Sequence, residues 1–396
     1  MIGARLKQAR LLAGMTQKDL KDSLADRGYQ VTTAAISKYE NDKSFPPGRY
    51  LITACNALGV SSPYLYHRPE KSVKWAAFRR HTGLPQKKQD TIKTYAADLA
   101  ELQIELHSLL YPDARPDLPS AAPANEFADA EKLAEDLRSV WDVGNRPLDN
   151  LVQTAEDRGV IVIGWHDDSG KFDGLSGCCG AYPVTVINQN RSADRIRFTL
   201  AHEIGHLVMD TSNAVEDEEK LAHRFAAALL VPKAHAYREL GMKRNSSLQW
   251  GEIKILKRKY GLSMAAWVRR ARDLQIITEN RYQEMNIELS SKKWRLKEPV
   301  DYLGDEEPIL LKQMASRAVS EGLISSDRIT RISQDILSPV SAHLKSGQLT
   351  VYDLLAMPEA ERNAVMAQAF ATATKENYEL FEDYDIYDEY DPHYDS

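Results

Sequence analysis

His202-Glu203-Ile204-Gly205-His206 has the residue types and spacing for metal-assisted hydrolysis. On a helix, residues i and i+4 share a face, so both imidazoles can reach one ion. Glu203 lies beside them and can take a proton from water held at that ion. Two His and one carboxylate leave a fourth position open, as a catalytic zinc site requires. The third ligand should come from a following helix. Leu221, Ala222, Phe225, Ala226, Leu229 and Leu230 form an apolar stripe that would pack such a helix on the first, and Glu219 sits at its rim. Glu216, Glu218 and His223 are rivals for the position. His223, His235 and Tyr237 are also candidates for an oxyanion donor. Manganese or iron can replace zinc at a His/His/Glu site. The bland reading of the acidic residues is a solvated helix start, where negative charge suits the dipole. A degenerate site kept for stability would have no use for a general base, and Glu203 is intact.

These residues need elements to hold them. Gly159 to Trp165 and Ala181 to Asn188 read as β-runs, and helix is expected from Arg195 through Leu230. Strands followed by helices predict a small α+β domain. Helix is also expected from Phe127 to Trp141, and twice over 245–275 with a break at Tyr260–Ser263. Trp294 to Pro299 reads as a loop or edge strand, and 306–375 as helical. Ahead of this, Pro112, Pro116, Pro119 and Pro123 prevent helix and sheet and predict a linker. Ile92, Tyr95, Leu99, Leu102, Leu106 and Leu109 form a heptad seam, to be buried either on the chain's own domain or in a homodimer.

Charge divides the 396 residues further. The formal total is −6, but residues 1–90 net +9 and residues 91–396 net −15. Residues 376–396 alone carry nine acidic residues, five tyrosines and no Lys or Arg. A basic end beside an acidic remainder is a prior for nucleic-acid binding at that end. The three cysteines exclude a disulfide scaffold and favour a reducing compartment. The start, MIGARLKQAR, lacks an apolar h-region, and no apolar run is long enough for a membrane span. A cytoplasmic protein with no membrane partner is the expectation.

Arg197–Leu207, followed by Glu-x-x-Ala-x-x-Phe-Ala-x-x-Leu-Leu-x-Pro over 219–232, resembles the ImmA/IrrE family of metallopeptidases. The likeness reaches upstream to Phe-Asp-Gly-Leu-Ser (172–176) and Ile-Asn (187–188). It implies His202, His206 and Glu219 as ligands, Glu203 as catalytic base, and zinc as cofactor. Family members cleave a partner repressor. His223 stands where the family often has Asn, which leaves its role open. Residues 5–66 resemble the Xre/lambda-repressor helix-turn-helix, with Thr16 as a cap and Thr32–Tyr39 as recognition helix. That resemblance implies base-edge contacts from Thr32, Thr33, Ala34, Ser37 and Lys38, and phosphate contacts from Gln17, Asn41 and Lys43. Arg27 to Val31 lengthens the segment before that helix beyond the usual. A helix-turn-helix used only for protein contacts is the alternative, but phosphate neutralisation suits the +9 charge.

The expected fold is mainly α, with a small α+β zincin-like peptidase domain and an N-terminal five-helix helix-turn-helix domain. Its parts are the helix-turn-helix domain (1–70), a helical connector (71–111), the Pro-rich linker (112–125) and the peptidase (126–240). A helix-turn-helix-like basic lobe (241–300), with nine basic residues in 243–272, could touch DNA or be a solvated face. A helical region (301–375) and the acidic tail (376–396) complete the chain. The expected function is a regulator that binds a double-stranded DNA operator and whose peptidase cleaves a regulatory protein. The rival is an antitoxin that represses its own operon and binds a toxin, for instance a PIN-like RNase, through its C-terminal region. The tail loosely resembles the toxin-binding end of some antitoxins. It could also fold back on the basic head, or have no partner.

Overall fold

A computed structural model describes residues 2–13, 15–60, 62–66, 73–76, 84–244, 248–326 and 329. The expectations for residues 330–375 and for the acidic tail lie outside the described residues. Residues 1–336 form one compact unit. It is mainly helical with a small mixed sheet, as expected, and five short helices open it.

Those helices are α1 (Ile2–Leu12), α2 (Gln17–Asp26), α3 (Thr33–Glu40), α4 (Gly48–Leu58) and α5 (Ser62–Tyr66). Local chemistry sets their ends. Thr16 accepts from the Asp19 N–H while the Asp19 carboxylate accepts from the Thr16 N–H, a reciprocal cap that starts α2. Thr32 caps α3 through the Ala35 N–H. Gly59 ends α4 in the left-handed region, φ 67°, where a side chain would be strained. Leu6, Leu20, Leu24, Ile36, Tyr50, Leu51 and Ala54 close one core. Across it, the buried Arg10 guanidinium grips Glu40, with Nη2 2.8 Å from Oε2. The unusual Arg27–Val31 segment turns at Gly28, φ 76°, and lays Tyr29 edge-on against Tyr50.

Next come β1 (Val73–Trp75) and the long α6 (Gln86–Leu110). Sequence periodicity gave no sign of β1. Helix α6 packs on α1, on the sheet and on the later α15 (Leu310–Ser320). Ile92, Leu99, Leu102 and Leu106 are buried there, Tyr95 meets Trp165 edge-on, and only Leu109 of the seam is exposed. The seam that carried the homodimer expectation is therefore covered within the chain. Asp98 and Glu101 on the same helix hold Arg5 of α1, at 2.6 and 2.9 Å.

The Pro-rich stretch departs from the expected linker. It lies against the domain, with the Asp117 N–H on the Arg158 carbonyl and the Asp117 carbonyl accepting from Trp141 Nε1. Its β2 (Ala122–Pro123) pairs in parallel with β6 (Met209–Asp210). Proline forbids helix but tolerates an edge position, and extended backbone packs well. Between them run α7 (Phe127–Val140), α8 (Leu151–Asp157), β3 (Ile161–Trp165), β4 (Gly174–Cys179), β5 (Tyr182–Asn188) and α9 (Ala193–Val208). The sheet order is β1-β4-β5-β3, with β3 parallel to β5 and the other pairs antiparallel.

The helix expected from Arg195 through Leu230 is broken. Helix α9 stops at Val208, and α10 (Glu218–Leu230) begins after β6 and a polar turn. The Asp210 carboxylate takes the Ser212 N–H, and Asp217 caps α10, so short acidic side chains compete with helix. Then follow α11 (Lys233–Leu240), α12 (Trp250–Tyr260), α13 (Met264–Asp273) and α14 (Glu279–Ser291). The two helices expected over 245–275 are α12 and α13, but their small core is not its own: Ile253, Leu256, Tyr260 and Trp267 belong to the same core as α7, α9 and α10. The basic charge of the expected lobe is largely spent. Lys257 pairs with Asp194 and Glu298, Arg270 with Glu131, Arg244 with Glu252, Lys259 with Glu239 and Arg272 with Asp273. Residues 294–299 are loop. No helix among the described residues is long and apolar enough to cross a membrane.

Candidate metal centre and DNA-reading face

Helix α9 carries the metal motif, and a close helix crossing brings the third donor to it. A Cβ at Gly205 would lie 3.0 Å from the Phe225 ring. Glycine there lets α10 approach α9 closely enough for Glu219 to reach both imidazoles. His202 Nε2 and His206 Nε2 lie 3.1 Å apart, and Glu219 stands 3.5 and 3.8 Å from them. Four ligands in a tetrahedron at zinc bond lengths would sit about 3.4 Å apart. The measured separations bracket that value, so the three groups fit a cation placed between them. Ligand atoms of these three residues all fall within 4.8 Å of one another, a group that could hold a metal ion.

Electrostatics prepares the same donor set. Burial holds the His202 pKa down at about 4, against a smaller upward pull from Glu219. Burial lowers His223 as well. The hydrogen bond from His202 is the main reason Glu219 sits down at about 2. Near neutrality, His202 therefore offers a lone pair and Glu219 a full charge, which suits a divalent cation.

Glu203 is buried on the neighbouring face. Burial pushes its carboxyl up, opposed by His206 and by a hydrogen bond from Ser176. A proton is thus more easily held there than on an exposed glutamate. Space for it comes from Gly174, where a Cβ would lie 3.0 Å from Glu203 Oε1. Ser176 and Gly174 were absent from the candidates read residue by residue, although both lie in the Phe172–Ser176 motif. Asn188 braces the loop before β4. Its Nδ2 donates to the carbonyls of Asp167 and Phe172, and its Oδ1 accepts from the N–H groups of Asp167 and Asn190. That fixes where β4 starts and so where Gly174 and Ser176 lie.

The rivals take other places. Glu218 Oε1 stands 3.3 Å from His206 Nδ1, the nitrogen turned away from the centre, and can orient that ring. Glu216 lies apart, its N–H on the Asn125 carbonyl. His223 packs edge-on against His202, ring centroids 4.7 Å apart, with Nδ1 2.5 Å from the Glu219 carbonyl. All the central groups line one cleft of about 900 Å³, as does His223. His235 and Tyr237 do not. His235 meets the Tyr260 hydroxyl and Tyr237 donates to the Leu274 carbonyl, so neither is placed to be an oxyanion donor here.

On the N-terminal domain, α3 turns Ile36 and Glu40 inward. Thr32, Thr33, Ala34 and Lys38 are exposed and Ser37 half-exposed, so these five share an open face. Lys43 is exposed just beyond it. Gln17 donates to Glu40 at 2.8 Å, and Asn41 Nδ2 donates to the Ser37 carbonyl at 2.7 Å. Both amides are engaged in bracing α3, which narrows what they can offer a phosphate.

Residues 156–272 match the M78 peptidase family model, described as the IrrE N-terminal-like domain, and residues 6–65 match the helix-turn-helix model. No curated protein matches the chain. The first span contains the candidate metal centre, and the second covers α1–α5 almost end to end. The chain thus joins a helix-turn-helix domain to an IrrE N-terminal-like domain of the M78 peptidase family.

Proposed function

We propose that this protein is a DNA-binding transcriptional regulator whose M78 domain is a zinc-dependent endopeptidase acting on a regulatory protein partner. The observation that carries the reading is the convergence of His202, His206 and Glu219 in an open cleft beside a buried Glu203. His202, His206 and Glu219 would hold the ion. When bound, it supplies a Lewis acid toward the scissile carbonyl. Glu203 takes a proton from the attacking water at a carboxylate oxygen and delivers it to the leaving nitrogen. Ser176 fixes the Glu203 carboxyl, Glu218 sets the His206 ring, and His223 lies close enough to the centre to donate to a developing oxyanion. Helix α3 enters the operator's major groove through Thr32, Thr33, Ala34, Ser37 and Lys38, and Lys43 contacts phosphate.

The test compares wild type with Glu203→Gln, both loaded with zinc. Metal content by elemental analysis should stay at one ion per chain in both, while cleavage of unfolded casein and of operon-encoded regulators is lost in the variant. Wild type that binds zinc one to one and cleaves none of these proteins would overturn the reading.

A further inference from the structure

One strand has no part in the scheme above. Strand β1 lies antiparallel along the outer edge of β4, with Val73 opposite Cys179, Lys74 opposite Cys178 and Trp75 opposite Gly177. Pairing continues one residue on, where the Ala76 N–H donates to the Ser176 carbonyl at 2.9 Å. Ser176 is the residue whose hydroxyl holds Glu203. Ala76 itself lines the cleft with His202, Glu203 and His206. A piece of the chain's own backbone therefore runs extended along the cleft wall and reaches the residue that positions the general base.

The edge is shaped to receive a backbone. A Cβ at Gly177 would lie 2.6 Å from the Lys74 carbonyl oxygen and 2.9 Å from the Trp75 Cα. Glycine there admits a strand closer than any other residue would. Main-chain pairing to an exposed edge takes its affinity from the backbone and is tolerant of sequence. The same edge can thus take any extended polypeptide of the right direction. The seated strand is also easy to displace. It is three residues long, and none of its side chains is fully buried.

We infer that β1 is a built-in competitor: it occupies the edge on which an extended polypeptide must lie to reach the centre. The inference rests on the peptidase reading for what that polypeptide is, a substrate. Being tethered, β1 competes at an effective concentration that can reach the millimolar range. If it is seated nine-tenths of the time, an incoming peptide binds about tenfold more weakly than it would to the open edge. Strand β1 also lies in the chain between the helix-turn-helix domain and α6, so the segment along the cleft wall follows that domain in sequence.

Lys74 gives both arms of a test. The Ala76–Ser176 bond and the alternation of antiparallel pairs make Lys74 and Cys178 a hydrogen-bonded pair, with Cα atoms expected about 5.5 Å apart. That spacing accepts a disulfide. Both residues are exposed, whereas Cys55 and Cys179 are buried. Lys74→Cys, oxidised, should lock β1 to native Cys178, and reduction should release it. Lys74→Pro removes a ladder donor and should unseat β1. The probe is a fluorescent peptide of residues 71–77, Lys-Ser-Val-Lys-Trp-Ala-Ala, read by anisotropy on the zinc-loaded full chain carrying Glu203→Gln so that it is not consumed. Lys74→Pro should bind it about tenfold more tightly than the parent. Oxidised Lys74→Cys should lose binding and recover it on reduction. Equal binding by the locked and unseated forms, or binding by none, overturns the inference. If the binding order holds but Lys74→Pro with Glu203 intact cleaves neither the peptide nor unfolded casein, strand competition stands and the peptidase reading fails.

Discussion

The two working regions of this chain are built on opposite plans. In the N-terminal domain the groups proposed to read DNA stand on the open face of α3, and the buried side of that helix holds it in place. In the M78 domain the groups proposed to hold the metal and the base, His202, His206, Glu219 and Glu203, are partly or wholly buried, and they come from α9 and α10 against β4. An exposed face can lose one contact and keep the rest. A buried centre cannot, because His202, His206, Glu218 and Glu219 lean on one another. The difference predicts graded effects in the first region and all-or-none effects in the second.

Glu203→Gln is the strongest test of the second plan. On the proposed role of Glu203 as general base, its loss should cost about 10²- to 10⁴-fold in turnover. DNA affinity should be unchanged and the melting temperature should not fall, since Gln fills the same space beside Gly174 and removes a carboxyl whose charge burial disfavours. A shift in operator binding in a gel or anisotropy assay would mean that the two regions are not separable. Arg197→Ala probes the support of the centre. Arg197 is buried in α9 and bonds Glu306 at 2.6 Å and the Tyr302 hydroxyl at 2.8 Å. The same Glu306 accepts the N–H groups of Leu151 and Val152 at the start of α8. Removing one partner leaves a buried charge without its counter-charge, a loss of about 3–5 kcal/mol. Chemical denaturation followed by the fluorescence of Trp141 and Trp267 should show it.

Legibility in the sequence follows the same division. Thr16 with Asp19, Thr32 with α3, and the run from Leu20 to Ile36 are local signals, each readable within a few residues. The motif helix and its stripe at Leu221–Leu230 were readable for the same reason; they brought Glu219 and its rivals near His202 and His206, and the family resemblance chose Glu219 among them. Strand β4 was not, because Gly174, Gly177, Cys178 and Cys179 interrupt the β-branched pattern that marked β5. The glycines are there for partners distant in sequence, namely the Glu203 side chain and the β1 backbone. Glu306 lies 109 positions from Arg197 in an irregular segment, and no spacing could have paired them. The Pro-rich stretch misled in the other direction, since proline excludes helix but says nothing about whether extended chain will be packed.

The exposed face should respond by degrees. Lys38→Ala and Lys43→Ala each remove one positive charge from the reading side of α3. If both contact phosphate, each should lower the slope of log affinity against log salt by about 1 and weaken binding across all sequences. An unchanged slope in anisotropy titrations from low to high salt would take these two residues off the interface. Thr33→Val differs in kind. It keeps the size and removes a hydroxyl, so if Thr33 reads a base edge the loss is confined to one base pair and is about 1–3 kcal/mol for the preferred base alone.

The smallest expected effect tests whether the N-terminal plan is as local as it looks. Thr16→Ala deletes the hydroxyl that accepts the Asp19 N–H and so removes half of a reciprocal cap. Caps of this kind contribute about 1 kcal/mol, and this one is solvent-exposed with its partner donor free to turn to water. Asp19 would keep its hold on the Thr16 backbone N–H, which the substitution does not touch. The Arg10–Glu40–Gln17 cluster bridges α1, α2 and α3 independently of that cap. The loss should therefore stay at the start of α2, with faster amide exchange at Asp19 and its neighbours and no change at Ile36 or Leu51. Spread of the faster exchange through α3 would show that the proposed reading face is coupled to α2 as tightly as the candidate metal centre is to its buried supports.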